Sequence, residues 1–193
     1  MEHNILIDKI KRSNSLPEDA LTYLSSIGKV IKIKKGENLI IPGKPISKSY
    51  FVTEGCMRAY CMNKDAKEHT LQFAIKEWWI SDFIALYNHE PSSLTVESIT
   101  DATLIEFDFK DLEKGFKLFP EFESFQRKNL ERHVVSVHKR ILNQLQLSAA
   151  ERYELFLKEY PDIEKMISNY HIASYLGITQ QSLSRIRVEN SKK

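Results

Sequence analysis

The chain is poor in the residues that would announce several common protein classes. It has only two cysteines among 193 residues, so a disulfide scaffold is excluded, and Cys56 and Cys61 lack the clustering that a metal or iron–sulfur centre needs. Their odd spacing in a strand-like stretch puts them on opposite faces, as ordinary thiols. No apolar run reaches membrane-spanning length. The opening Met1-Glu2-His3-Asn4-Ile5-Leu6-Ile7-Asp8 carries acidic charge and no signal-like apolar stretch, so a cytoplasmic protein without a membrane partner is expected. Charge of one sign is also lacking: the net is only +2, too little to point to nucleic acid by itself. Histidines are few and scattered: His3, His69, His89, His133, His138 and His171 form no ligand pattern, so neither metal nor cofactor is expected.

What remains is a chain that is 42% hydrophobic, enough for a proper core. Apolar residues near helical spacing, Ile7, Ile10, Leu16, Ala20, Leu21 and Leu24, predict two short helices broken by a Ser-Asn-Ser turn signal. From Gly28 the pattern turns to short alternating runs, among them Val30 to Lys34, Tyr50 to Val52, Met57 to Tyr60 and Thr70 to Phe73. Turn signals such as Pro42-Gly43 and Glu54-Gly55 separate them, and the pair Leu94 to Ile99 and Ala102 to Asp108 closes an antiparallel roll.

The helical period then returns. Phe109 to Phe119 reads as a short amphipathic helix, and from about Glu121 to Leu147 there is no glycine or proline. Leu130, Val134, Val137 and Ile141 keep a four-three alternation, continued by Gln144 or Leu145. Such a stripe can pack on its own domain. This helix outruns the roll, however, which favours a homodimer seam. Ser148-Ala149-Ala150-Glu151 spells a capping box and opens a third region.

In that region Ile172, Ala173 and Leu176 give one helix an apolar face, Gly177 tolerates positive φ, and Thr179 caps a second helix that buries Leu183 and Ile186. Gln180, Gln181, Ser184, Arg185 and Arg187 are left on the outer surface. Gln and Arg suit base edges in the major groove, whereas Ser, Thr and Lys suit phosphates. A helical hairpin of purely structural use remains the alternative. The basic balance from Ser168 onward, Arg185, Arg187, Lys192 and Lys193 against Glu189, favours double-stranded DNA.

Lys35-Gly36-Glu37 with Gly43, Tyr50 to Gly55, Phe107, Pro120 and the unit Ile172 to Arg187 follow one another in an order that resembles the cyclic AMP receptor protein and FNR (CRP/FNR) superfamily of transcription regulators. The resemblance implies an α+β chain in three parts: a jelly-roll type β-roll sensor with N-terminal helices (1–120), a dimerisation helix (121–147) and a helix-turn-helix domain (148–193). It implies a homodimer on an inverted-repeat operator, read by a recognition helix at 179–188. Gln180, Gln181 and Arg185 stand where the family reads bases, and Thr179, Ser182 and Ser184 where it meets phosphates. RNA polymerase and a small-molecule effector are the further partners implied. The family's wing after the recognition helix has no counterpart before Lys193, so its backbone contacts are expected to be missing or replaced.

The nucleotide cassette departs from the family's pattern. Ser81-Asp82 aligns with its Gly-Glu pair and Ser92-Ser93 with its Arg-Ser pair, so the phosphate arginine is gone. Val137 and His138 replace the hydroxyl residues that meet the base, and valine has no donor or acceptor. A buried phosphate without a cation is costly. Cyclic AMP is therefore not expected, although Arg58 could supply an anion site from another strand; the blander expectation for it is a solvated strand residue. Trp78, Trp79 and Tyr87 could line a pocket or simply be core or lid. Two rivals remain: a cupin-like enzyme, for which His69 stands alone, and a binding module without sequence-specific DNA binding.

Overall fold

The computed structural model describes residues 2–13, 16–161 and 163–190. Two helices, α1 (Glu2–Ser13) and α2 (Glu18–Ile27), precede a roll of two antiparallel sheets. The first sheet has the order β1 (Lys29–Ile33), β8 (Ala102–Asp108), β3 (Lys48–Glu54), β6 (Trp79–Ile80), and the second β2 (Asn38–Ile40), β7 (Thr95–Ser98), β4 (Met57–Met62), β5 (Glu68–Ala74). Strand neighbours distant in sequence make this a jelly roll, as expected. Gly55 permits the turn before β4: its φ is +88°, and a Cβ there would sit 2.5 Å from the Asp101 carbonyl oxygen.

Side-chain alternation gives each strand two faces to bury. Tyr50 and Val52 of β3 meet Met57, Ala59 and Leu104 inside the roll. Phe51, between them, points outward to Leu6, Ile10, Leu24 and Leu112, under α1, α2 and α4 (Phe109–Leu118). Two elements escape the sequence reading: the two-residue β6 and helix α3 (Phe83–Asn88). The available signal for α3 was Asp82 before Phe83-Ile84-Ala85-Leu86, an N-cap followed by an apolar run.

Helix α5 (Pro120–Gln146) starts with its proline at the first turn, where a missing N–H costs nothing. Only Phe122 and Phe125 of α5 are buried. Farther on, Val134 is 50% exposed, Val137 43%, Ile141 51% and Leu145 77%. Gln144 departs from that stripe and lies against Gly177. The Ser148 hydroxyl and the Glu151 carboxylate form the expected capping box at the start of α6 (Ala149–Glu159). A 3₁₀ turn (Ile163–Lys165), α7 (Asn169–Leu176) and α8 (Gln180–Asn190) follow.

The helical domain does not stand apart from the roll. Phe73, outward on β5, is fully buried with ring centroids 6.1 Å from Phe156, 6.1 Å from Tyr160 and 5.4 Å from Tyr175. Cys56 and Ile99 join the same core, and burial pushes the Cys56 thiol up to about 12, keeping it protonated. Cys61 is half-buried, and both thiols are free.

Candidate nucleic-acid interface and nucleotide cassette

Helices α7 and α8 meet through a short turn whose chemistry is local. The Ser168 hydroxyl accepts from the His171 amide to cap α7. At the other end Gly177, at φ +70°, donates its N–H to the α7 carbonyls, and the Ile178 amide reaches the Ala173 carbonyl at 3.0 Å. Thr179 then caps α8 by accepting from the Ser182 amide at 3.2 Å, with the two hydroxyls 3.0 Å apart. Ile172, Ala173 and Leu176 pack with Leu183 and Ile186, so the angle between the helices is set by a buried core.

Burying Leu183 and Ile186 turns Gln180, Gln181, Ser184 and Arg185 to solvent on one face of α8. Val188, unremarked from sequence, is 54% exposed and lies within about 20° of the centre of that face at 100° per residue. The face therefore carries amides, a hydroxyl, a guanidinium and one apolar side chain. Arg187 is a correction: the expectation of an outer surface position fails. Its Nε donates to the Tyr153 hydroxyl at 2.9 Å, its Nη1 to Asn169 Oδ1 at 2.5 Å, and it pairs with Glu164. Position 187 falls on the edge of the buried stripe, so its side chain ties α8 to α6 and α7. Lys192 and Lys193 lie outside the described residues.

Arg58 is a second correction. It is 1% exposed rather than solvated, and it points out of the roll toward α7, opposite to its neighbours Met57 and Ala59. Nη1 lies 2.7 Å from Glu68 and Nη2 2.5 Å from Glu97, with the guanidinium 4.0 Å from the Tyr60 ring centroid. Two carboxylates already balance its charge, so it is not available to a phosphate in the roll. Beside it His171 is depressed to about 4, through burial first and the Arg58 charge second.

The cassette residues Ser81, Asp82, Ser92 and Ser93 do come together. Asp82 is fully buried and caps α3 by accepting from the Ala85 amide at 3.1 Å. Its other carboxylate oxygen accepts from the Ser92 hydroxyl at 2.9 Å, the Ser93 amide at 3.0 Å and the Leu94 amide at 3.3 Å. Donors that such a turn could offer an anionic ligand are thus occupied by the protein's own carboxylate. The Ser81 hydroxyl donates to the Lys48 carbonyl at 2.8 Å. Val137 and His138 lie on the exposed stretch of α5.

Sequence reasoning also missed the residues that join roll, long helix and helical domain. Arg140 Nη2 donates to the Thr70 and Tyr175 carbonyls, each at 2.9 Å, its other nitrogen reaches the Leu71 carbonyl, and its guanidinium stacks 4.0 Å over Tyr175. Ser174 accepts from the Thr70 amide at 2.9 Å and donates to the Glu68 carbonyl at 2.9 Å. Partners this far apart in sequence leave no local signal.

This combination of roll, long helix and helix-turn-helix defines a class. Residues 30–117 match the cyclic nucleotide-binding domain family. No curated protein sequence matches the chain. Among solved structures it is similar to FixK2 from Bradyrhizobium japonicum, at 20% identity over 86% of this chain and 85% of that one, with a TM-score of 0.76. CLP of Xanthomonas campestris, a c-di-GMP responsive global regulator, gives 12% identity, coverage of 91% and 92%, and a TM-score of 0.71. A transcriptional regulator of the crp/fnr family from Eubacterium rectale gives 18%, 92% and 85%, and 0.70. Residues 30–117 are thus similar to a cyclic nucleotide-binding domain, and the chain has the fold of the CRP/FNR regulators, as its residues implied.

Proposed function

We propose that the chain is a dimeric transcription regulator that reads an inverted-repeat operator with α8 and does not respond to cyclic AMP. The observation that carries the reading is the exposed face of α8: Gln180, Gln181, Ser184 and Arg185 stand together beside a rigidly capped turn, while Leu183 and Ile186 hold the helix down. Long side chains with paired donors and acceptors match base edges in the major groove. Thr179 and Ser182, at the N-terminus of α8, sit where backbone amides and the helix dipole favour a phosphate. A second copy, joined along Leu130, Val134, Val137 and Ile141, would present a second reading helix related by two-fold symmetry.

The rejection of cyclic AMP follows from Asp82. A cyclic phosphate entering the cassette would place a second anion against a buried carboxylate that holds the hydroxyl of Ser92 and the amides of Ser93 and Leu94. With Arg58 held by Glu68 and Glu97, it would gain no counter-charge from that residue. Selection of bound fragments from random DNA, followed by footprinting, tests the reading. An inverted repeat with half-sites about one turn of DNA apart, roughly 34 Å, is expected. A protein that retains no sequence preference would refute it, as would calorimetric binding of cyclic AMP at micromolar concentration for the sensor part.

A further inference from the structure

A cleft of about 510 Å³ opens between α5, α6 and the end of α7. That volume admits a small molecule and not a DNA duplex. At 100° per residue, the α5 residues that line it, from Arg132 to Gln144, centre roughly 150° around the helix from Leu130, Val134, Val137 and Ile141. A second copy on that stripe therefore leaves the cleft open. Among the described residues, none of α8 and none of the roll lines it, so it is separate from the reading face and from the cassette.

Its wall carries charge almost wholly of one sign. Arg132, Lys139, Arg140, Arg152 and Lys158 stand against a single carboxylate, Glu159, among the described residues. The whole chain is near balance, with 28 Lys and Arg against 26 Asp and Glu, so the excess is local. Arg140 and Arg152 are fixed in place by backbone. Arg140 is held by the Thr70, Leu71 and Tyr175 carbonyls, and Arg152 donates to the Leu147 carbonyl at 2.7 Å and the Leu176 carbonyl at 3.3 Å. Carbonyls position a guanidinium without cancelling its charge. Arg132, Lys139 and Lys158 are exposed at the rim and form no ion pair among the described residues, whereas Arg127, one turn before the cleft, is paired with Glu131.

The spacing of the rim cations narrows the ligand. Arg132 and Lys139 lie on one side of α5 two turns apart, about 10 Å along the axis, and Lys158 stands on the α6 wall. Charges spread in this way suit a row of anions better than one. Like charges gathered in a concave wall repel one another and concentrate ions of the opposite sign, and phosphate oxygens are good acceptors for both Lys and Arg. Phe156, Tyr175 and Leu176 are buried beneath, and Val135 and Leu155 leave apolar surface at the edge.

We propose that this cleft binds the oligophosphate group of a small phosphorylated molecule, its phosphates along Arg132, Lys139 and Lys158 above the fixed Arg140 and Arg152. The binding does not rest on the regulator reading; its consequence does. Because Arg152 joins the end of α5 at Leu147 to α7 at Leu176, an occupant braces the reading helices against the long helix. The test is calorimetric titration of the full chain with inorganic tripolyphosphate at about 0.15 M salt, which screens diffuse surface attraction. One tripolyphosphate per chain is expected to bind saturably, with orthophosphate at least about tenfold weaker. Lys139→Gln combined with Lys158→Gln should weaken tripolyphosphate at least about tenfold with helix content unchanged by circular dichroism, and Arg132→Gln alone at least about threefold. Removing the same charge from the turn between β4 and β5, with Lys64→Gln and Lys67→Gln, should leave the affinity as it was. No saturable binding, or equal weakening by the two lysine pairs, overturns the site. So does a Lys139 and Lys158 variant that binds tripolyphosphate as before but DNA of every sequence more weakly, since those cations then serve the DNA backbone. Adenosine triphosphate separates the sources of the group: equal affinity supports recognition of the phosphate chain alone, and tighter binding supports a phosphate ester resting on Val135 and Leu155. A footprint on selected DNA is run with the same preparation. Protection without tripolyphosphate binding overturns the cleft assignment alone, whereas binding without any footprint overturns the regulator reading and leaves the site standing.

Discussion

Asp82 and Arg185 illustrate two opposite uses of a single charge. Asp82 is buried, and its two oxygens take the Ala85, Ser93 and Leu94 amides and the Ser92 hydroxyl. Asp82→Ala removes a helix cap and leaves several buried donors unmet, so a loss of about 3 kcal/mol is expected in urea denaturation. A loss below about 1 kcal/mol would mean that water replaces the carboxylate easily. Arg185, by contrast, is exposed and has room to form a bidentate contact with guanine. Arg185→Ala should cost about 1–3 kcal/mol on the selected site and relax preference at one base pair of each half-site. Equal loss on specific and random DNA would show a phosphate contact instead. The exposed positions of Gln180, Gln181 and Arg185 were legible because surface exposure follows from helical period alone. Arg58 and Arg187 were not, because their carboxylate partners come from other elements.

At the scale of elements, the contact between α7 and the strands β4 and β5 decides how the helix-turn-helix sits on the roll. Ser174 binds Thr70 and Glu68, Arg140 bridges Thr70 and Tyr175, and His171 sits near Arg58, Glu68 and Lys35. His171 titrates at about 4 when folded, against about 6.5 in the unfolded chain. Between those values the unfolded state binds more protons, so stability rises as pH increases from about 4 to 6.5 and this contribution is flat above. Protonation places a third cation beside Arg58 and Lys35, with Glu68 as the opposing charge. Denaturation at a series of pH values should show His171→Gln with a shallower slope across that window. An unchanged slope would assign it to other groups. The helices and strands of this contact were each readable from periodicity. Their docking was not, since Phe73 reads simply as one face of a strand until α6 and α7 cover it.

Over the whole molecule, α5 leaves half-exposed valine, leucine and isoleucine in a row beyond the reach of the roll. Covering that row with a second copy is the arrangement that would set two α8 helices at a spacing DNA can match. In the proposed dimer Val137→Glu would bring two carboxylates together across the two-fold axis, so sedimentation should show monomer at micromolar concentration where the unaltered chain is expected to be dimeric. Because Val137 is 43% exposed in the single chain, helix content should be unchanged by circular dichroism. A dimer that survives the substitution would place the interface elsewhere.

The sequence by itself determined the order and type of most elements, the capping box at Ser148 and the turn at Gly177. All of these depend on neighbours within a few residues, where propensity, capping and alternation act directly. Only the tertiary structure decided that Arg58 and Arg187 are held by carboxylates, that Asp82 fills the anion turn, and that five cations line one cleft between α5, α6 and α7. Each of those joins side chains from separate elements. Charge balance and enclosed volume are properties of what surrounds a residue in space, and the linear order of the chain does not contain them.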